Sequence, residues 1–221
     1  MKKFYLVGSD ISNSLSPKIH KIIFYSLKVN ASYELFQIET AEEISKLLGT
    51  ADGFNITRPF KESIKKFVTN NYSLSDSINT VTINLSEINA YSTDGDGFVL
   101  DAKRLGLDLS SILLIGYGGA AKSIKKALEP VSNKISIFTK NTPISLEKFV
   151  LENNPSLLIN CTPHKFDIPF NKDYYDLNYI NYNGISGIGM LIYQAILSAQ
   201  IFLSTKIDLS LFSQIYKEVI G

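Results

Sequence analysis

This 221-residue sequence is poor in cysteine, in histidine and in net charge, and it has no long uninterrupted apolar run. The single cysteine, Cys161, excludes an intrachain disulfide framework and cannot by itself build a zinc site of the usual kind, which fits a reducing compartment. His20 and His164 fall in different predicted domains with no ligand spacing around them, so no metal dependence is expected. With 22 basic against 21 acidic residues, the formal charge of +1 gives no general field for a nucleic-acid backbone, and any anion must be bound locally. The apolar run after Lys2 and Lys3 ends at Val7, too soon for a signal-peptide core. The most apolar stretch, 185–203, is broken by Gly187, Gly189, Gln194, Ser198 and Gln200, poor composition for a membrane span. A cytoplasmic protein with no membrane or nucleic-acid partner is the expectation.

What is present suits packed cores: 45% of residues are hydrophobic and 19% charged. Segments 4–7, 33–38 and 53–56 read as short strands, with helical spacing between them. Over 17–27 the apolar residues Ile19, Ile22, Ile23 and Leu27 recur every three or four positions, and Ser16-Pro17 reads as an N-cap followed by proline at the first helical position. Helical turns are also expected at 44–48 and 61–68. After the turn-rich segment 91–97 and an amphipathic stretch at 98–105 the pattern changes. Residues 111–115 form a continuous apolar run suited to a parallel strand buried on both faces. A helix at 120–128, a strand at 135–138, a helix at 146–151 and a strand at 157–160 follow, giving the βαβαβ order of a doubly wound fold. An apolar helix at 190–197 and an amphipathic one around 209–219 close the chain.

Gly116-Tyr117-Gly118-Gly119-Ala120-Ala121 sits between the predicted buried strand and a predicted helix. There Gly116 permits a tight turn, Gly118 lets the backbone approach a pyrophosphate, and Gly119, Ala120 and Ala121 let helix and strand pack closely. Phosphates would meet free N–H groups at the helix N-terminus. A plain strand-to-helix turn uses the same residues and stays open as the alternative. After the next strand, Thr139-Lys140-Asn141-Thr142 offers one lysine and no carboxylate, which favours NADP over NAD unless Lys140 is only a solvated charge.

Polar clusters fall at predicted element ends: Ser14-Leu15-Ser16-Pro17, Asn55-Ile56-Thr57-Arg58-Pro59-Phe60-Lys61, Ser77-Ile78-Asn79-Thr80 and Ser92-Thr93-Asp94-Gly95. A pocket so lined suits a ligand with several hydroxyls, although each cluster alone also reads as a cap, a turn or a solvated residue. Taken in order with the glycine turn, with Ile159-Asn160-Cys161-Thr162-Pro163 and with Gly189-Met190-Leu191-Ile192-Tyr193-Gln194-Ala195, they resemble the shikimate dehydrogenase family along nearly the whole chain. That family's pattern runs Ser-x-Ser-Pro, Asn-Val-Thr-x-Pro-x-Lys, Asn-Thr, Asn-Thr-Asp-Gly, Gly-x-Gly-Gly-Ala, Ile-Asn-Ala-Thr-Pro and Met-Leu-x-x-Gln.

The resemblance implies an α/β protein with an N-terminal substrate domain, residues 1–95 completed by 189–221, a Rossmann-like doubly wound nucleotide domain, 96–188, and an active site in the cleft. It implies NADP-dependent, reversible reduction of 3-dehydroshikimate to shikimate, a step toward chorismate and the aromatic amino acids. Carried over position by position, Ser14, Ser16, Thr57, Asn79, Gln194 and Tyr179 bind the small-molecule substrate. Lys61 and Asp94 form the catalytic pair. Gly116, Gly118, Gly119, Ala120, Lys140, Asn160, Thr162 and Gly187 serve the cofactor. Reducing a ketone by hydride requires a proton for its oxygen; Lys61 is read as its carrier and Asp94 as the orienting partner, a shared role staying open.

The chain departs from the family pattern at Ser92, at Ser77-Ile78, at Lys140-Asn141-Thr142 and at His164-Lys165. Residues 179–184 run almost directly into the Met190 helix, so a helix usual there is expected to be missing and the nucleotide domain to be small. Quinate or an aminated analogue as substrate, a non-catalytic ligand-sensing relative, and another two-domain NADP enzyme are the competing readings. Monomer and homodimer stay equally open.

Overall fold

The computed structural model describes residues 1–84, 87–166 and 172–221. Contacts divide the chain into two units, Met1–Thr93 with Ile192–Gly221, and Asp94–Leu191. Asp94, Gly95 and residues 189–191, expected with the first domain, fall in the second unit.

The first unit is built on β1 (Lys2–Gly8), α1 (Ser16–Ser26), β2 (Ala31–Gln37) and β3 (Gly53–Ile56), with β1 pairing in parallel to both β2 and β3. The helical turns expected at 44–48 and 61–68 are 3-10 turns, Ala41–Leu47 and Ser63–Phe67. Spacing explains this: the buried residues Ala41, Ile44 and Leu47 recur every third position, as do Ile64 and the partly buried Phe67, which matches three residues per turn and not 3.6. Beyond β3 come β4 (Asn70–Asn71) and the antiparallel hairpin β5 (Thr80–Asn84) and β6 (Glu87–Tyr91), giving the order β2-β1-β3-β5-β6-β4. The sequence reading missed this hairpin because one face of it, Thr80, Thr82 and Asn89, is polar yet buried, while Val81, Ile88 and Ala90 join the core. A Cβ on Gly53 would lie 2.5 Å from the Val81 carbonyl oxygen and 3.2 Å from the Phe202 ring, so only glycine lets this aromatic close over β3. Phe202 belongs to α5 (Ile188–Leu203) and stacks on Phe4 at 4.5 Å; α6 (Leu211–Ile220) packs on α1.

The second unit opens with α2 (Asp94–Arg104), which starts at Asp94 and not at residue 98. It continues as β7 (Ser111–Ile115), α3 (Gly119–Leu128), β8 (Lys134–Phe138), α4 (Leu146–Asn153), β9 (Leu157–Asn160), β10 (Asp173–Asp176) and β11 (Ile185–Ser186). All pairings are parallel, in the order β11-β10-β9-β7-β8. The run at 111–115 is buried on both faces, as its unbroken apolar character implied: Ile112 and Leu114 pack with Phe98, Ile124 and Leu128, and Leu113 and Ile115 with Val150 and Leu158. Each such side chain contributes about 1.5–3 kcal/mol on burial. Chain order reverses between β7 and β9, the switch point where doubly wound sheets bind ligands. Among the described residues only β8 lies on the far side of β7, where the full doubly wound order has two strands, and α4 leads from β8 straight to β9. The unit is therefore trimmed at this edge, in addition to the helix-free connection between Asp176 and Ile188.

Candidate active site

In the first unit, the carboxyl ends of β1 and β3 lie side by side, with Leu6 opposite Asn55 and the Thr57 N–H donating to the Val7 carbonyl at 2.9 Å. Ser14 and Ser16 follow the β1 end. The position before the helix is Leu15, and Ser16 is the first helical residue; no side-chain cap bond forms. This corrects the N-cap expectation by one residue. Steric logic still holds, because proline remains in the first turn where its missing N–H costs nothing. Ser16 is buried, and its N–H donates to Ser14 Oγ at 3.2 Å. Thr57 begins the turn that carries the half-buried Lys61; the Phe60 N–H closes on the Thr57 carbonyl at 3.0 Å, and the Lys61 carbonyl accepts from the Ile78 N–H at 3.0 Å, beside Asn79.

Asn79 and Gln194, 115 positions apart in the chain, meet in a buried polar network: Asn79 Nδ2 donates to Gln194 Oε1 at 3.2 Å and to Thr93 Oγ1 at 2.8 Å. Donor counting gives the network a direction. Tyr33 donates to Asn55 Oδ1 at 2.8 Å, and Asn55 Nδ2 donates to Ser198 Oγ at 3.0 Å. Since Thr80 spends its single hydroxyl proton on Asn79 Oδ1 at 3.1 Å, the 2.8 Å contact between Ser198 and Thr80 runs from Ser198 to Thr80. The Thr93 N–H also donates to Asn79 Oδ1 at 2.8 Å, and Thr93 Oγ1 donates to the Gln194 carbonyl at 3.1 Å. The Asn79 amide is thus held in one orientation, its oxygen fed by Thr80 and Thr93 and its nitrogen aimed at Gln194 and Thr93. Behind the network His20 stacks on Tyr33 at 4.0 Å. Neither imidazole nitrogen reaches hydrogen-bonding geometry, and burial drives its pKa down to about 3, an effect that the nearby Asn55 amide only partly offsets.

In the second unit, Asp94 is buried at the start of α2. Gly95, expected as a turn residue, instead lets α2 and α3 touch: its N–H donates to Ser123 Oγ at 3.0 Å, and a Cβ there would lie 2.4 Å from the Ser123 carbonyl oxygen. At the β7–α3 turn, Gly116 has a φ of +87°, and a Cβ would meet Thr162 Cγ2 at 2.5 Å. Gly118 differs, with a φ of −87° and nothing within 4 Å of its Cβ position, so the chain's own packing gives no reason for glycine there. It takes the N-cap position of α3 without a side-chain cap, and Gly119 and Ala120 open the helix, leaving backbone N–H groups directed outward. An uncapped helix start with open space before it fits a pyrophosphate. Beyond β8 a turn closed by the Thr139 N–H on Thr142 Oγ1, at 3.0 Å, presents Lys140 to solvent.

Asn160 is fully buried at the end of β9. Its Nδ2 donates to the His164 carbonyl at 2.7 Å and to Asp176 Oδ1 at 3.2 Å, while its Oδ1 accepts from the Thr162 N–H at 3.0 Å and the Thr162 hydroxyl at 2.9 Å. With all four positions filled, Asn160 shapes this loop from within. Tyr179 is half-buried, and Gly187 is required by a close approach, its Cβ position lying 2.5 Å from the Leu177 carbonyl oxygen. Sequence reasoning placed Thr80 and Thr93 in polar clusters without giving either a role of its own, and named Ser198 only as a break in the apolar stretch; the one available signal for Ser198 was that it follows Gln194 by four residues, one helical turn on the same face.

The substrate-binding domain model of shikimate dehydrogenases matches residues 6–83. The chain is 32% identical over 183 residues to the NADP(+) shikimate dehydrogenase of Staphylococcus epidermidis, covering 73% of this chain and 68% of that protein. It is 28% identical over 263 residues to that of Clostridium beijerinckii, covering 98% and 97%. The crystal structure of shikimate dehydrogenase 1 from Peptoclostridium difficile superposes with a TM-score of 0.82 at 27% identity over 99% of this chain and 98% of that one. Identity at this level over most of both proteins, together with the ordered motifs and the two-unit fold, means that the chain belongs to the shikimate dehydrogenase family.

Proposed function

We propose that this protein interconverts 3-dehydroshikimate and shikimate with NADPH and NADP, in keeping with its similarity to NADP(+) shikimate dehydrogenases. The observation that carries the reading is the Asn79–Gln194 amide pair, held by Thr93 immediately before Asp94 and fed from Asn55 and Ser198. Amides held in a fixed orientation, with serine and threonine hydroxyls at neighbouring strand ends, recognise a ligand dense in hydroxyls. Ser14, Ser16, Thr57, Asn79, Gln194 and Tyr179 bind its hydroxyls and carboxylate. Gly116, Gly118, Gly119 and Ala120 hold the pyrophosphate at the start of α3, Lys140 the adenosine phosphate, and the Asn160–Thr162 loop and Gly187 the nicotinamide side.

NADPH, when bound, supplies the hydride that turns the ketone carbon into a secondary alcohol. Lys61 hydrogen-bonds the ketone oxygen and gives it the balancing proton, ending as a neutral amine that regains its proton from solvent. Asp94 is the orienting partner of Lys61 in this reading.

The test is reduced-nicotinamide absorbance while the purified protein oxidises shikimate, with NADP or NAD as acceptor and quinate as an alternative substrate. Lys61→Ala is expected to lower kcat by about 10²–10⁴-fold while shikimate still binds. Saturable shikimate binding without turnover in the wild-type protein would replace this reading with the ligand-sensing one.

A further inference from the structure

Asp176, at the end of β10, is fully buried and forms no ion pair among the described residues. Its Oδ1 accepts from Asn178 Nδ2 at 2.7 Å, from the Asn178 N–H at 3.0 Å and from Asn160 Nδ2 at 3.2 Å; its Oδ2 accepts from the Asn183 N–H at 3.2 Å. A buried carboxylate held only by neutral donors needs all of them, so it fixes every segment that supplies one. Here those segments are the β9 end, the turn after β10 and the turn before β11. Asn178 Nδ2 also donates to the Thr162 carbonyl at 3.0 Å, and Thr162 is the residue against which Gly116 is packed. One carboxylate therefore ties the loops after β9 and β10 to the glycine turn, all at the carboxyl edge of the parallel sheet and around its switch point.

We infer that Asp176 is a positioning residue for dinucleotide binding: it sets the Asn160–Thr162 loop against Gly116 and, through Asn178, holds it there. The inference rests on the cofactor reading above. No catalytic contact is assigned to Asp176. Its effect falls on the dinucleotide and spares shikimate, whose main contact residues belong to the other unit.

The experiment compares the full-length wild-type protein with Asp176→Asn and with Asn178→Ala. NADPH affinity is read by nicotinamide fluorescence, shikimate affinity by calorimetry, and thermal midpoints with and without NADPH. The expected result is NADPH affinity about tenfold weaker in Asp176→Asn and about threefold weaker in Asn178→Ala, changes on the scale of losing one net hydrogen bond that positions the binding loop. Shikimate affinity stays within about twofold, and the NADPH-induced rise in thermal midpoint shrinks. A purely structural role would lower both midpoints equally and leave NADPH affinity unchanged, and that outcome overturns the inference. If Asp176→Asn does not fold, Asn178→Ala decides alone, because it leaves the carboxylate and its bonds to Asn160 and Asn183 in place. A wild-type protein that binds no NADPH overturns the cofactor reading and this inference together; wild-type binding with unaffected variants overturns the inference only.

Discussion

Replacing Asn55 by alanine removes the point from which the buried network of the first unit is fed. Tyr33 loses its acceptor at 2.8 Å, and an orphaned buried hydroxyl costs about 1–3 kcal/mol. Asn55 Nδ2 faces three acceptors, the Asn79 carbonyl at 2.9 Å and the Thr80 and Ser198 hydroxyls at 3.0 Å each, but has only two hydrogens. Two full bonds at about 0.5–1.5 kcal/mol each are therefore lost. The remainder is buffered, because the Asn79 carbonyl keeps the Ile56 N–H at 2.9 Å and Thr80 and Ser198 keep each other at 2.8 Å. The sum is about 4 kcal/mol of unfolding free energy. Tyr33→Phe strands the Asn55 oxygen instead, whereas the double variant strands neither group. The two single losses should therefore exceed the double loss by about 1–3 kcal/mol, the coupling expected for partners in one network. Urea unfolding at constant slope measures all three variants. Additivity within about 0.5 kcal/mol would refute the claim that Tyr33 and Asn55 are mutually dependent.

The two key glycines of the β7–α3 turn should respond in opposite ways. Gly116→Ala, forced into a left-handed φ and against Thr162, should lose at least about 1–2 kcal/mol of stability in denaturant unfolding. Gly118→Ala should keep its stability within about 0.5 kcal/mol yet bind NADPH at least about tenfold more weakly, as its methyl group fills the space where the backbone meets the pyrophosphate. His20 is neutral when folded, with its pKa lowered from 6.5 to about 3, so its contribution is fully present above pH 6.5 and is lost as the pH falls toward 3. Lowering the pH from 6.5 to 4.5 should cost the wild-type protein about 2 kcal/mol more than it costs His20→Phe, measured as unfolding midpoints at the two pH values.

Legibility in the sequence followed the apolar pattern. The run 111–115 announced a central parallel strand because nothing polar interrupts it, and the order of elements after it gave the switch point. Where a buried face is polar the pattern failed: no strand was read at β5 or β6 because Thr80, Thr82 and Asn89 face inward. β10, whose Asp173 and Asp176 bracket two tyrosines, was missed for the same reason. The candidate site was readable as a set of segments and not as a set of contacts. Spacing cannot say that Gln194 reaches Asn79, that Ser16 sits inside its helix, or that Asn160 is consumed by its own loop, since each depends on packing between distant segments.

Following the label from NADPH deuterated at the reactive nicotinamide carbon into the product of 3-dehydroshikimate reduction tests the central claim most directly. The account predicts shikimate carrying one carbon-bound deuterium at the former ketone, formed by the wild-type protein and nearly absent with Lys61→Ala. Shikimate formed without the label, or no shikimate despite binding of both ligands, would contradict it.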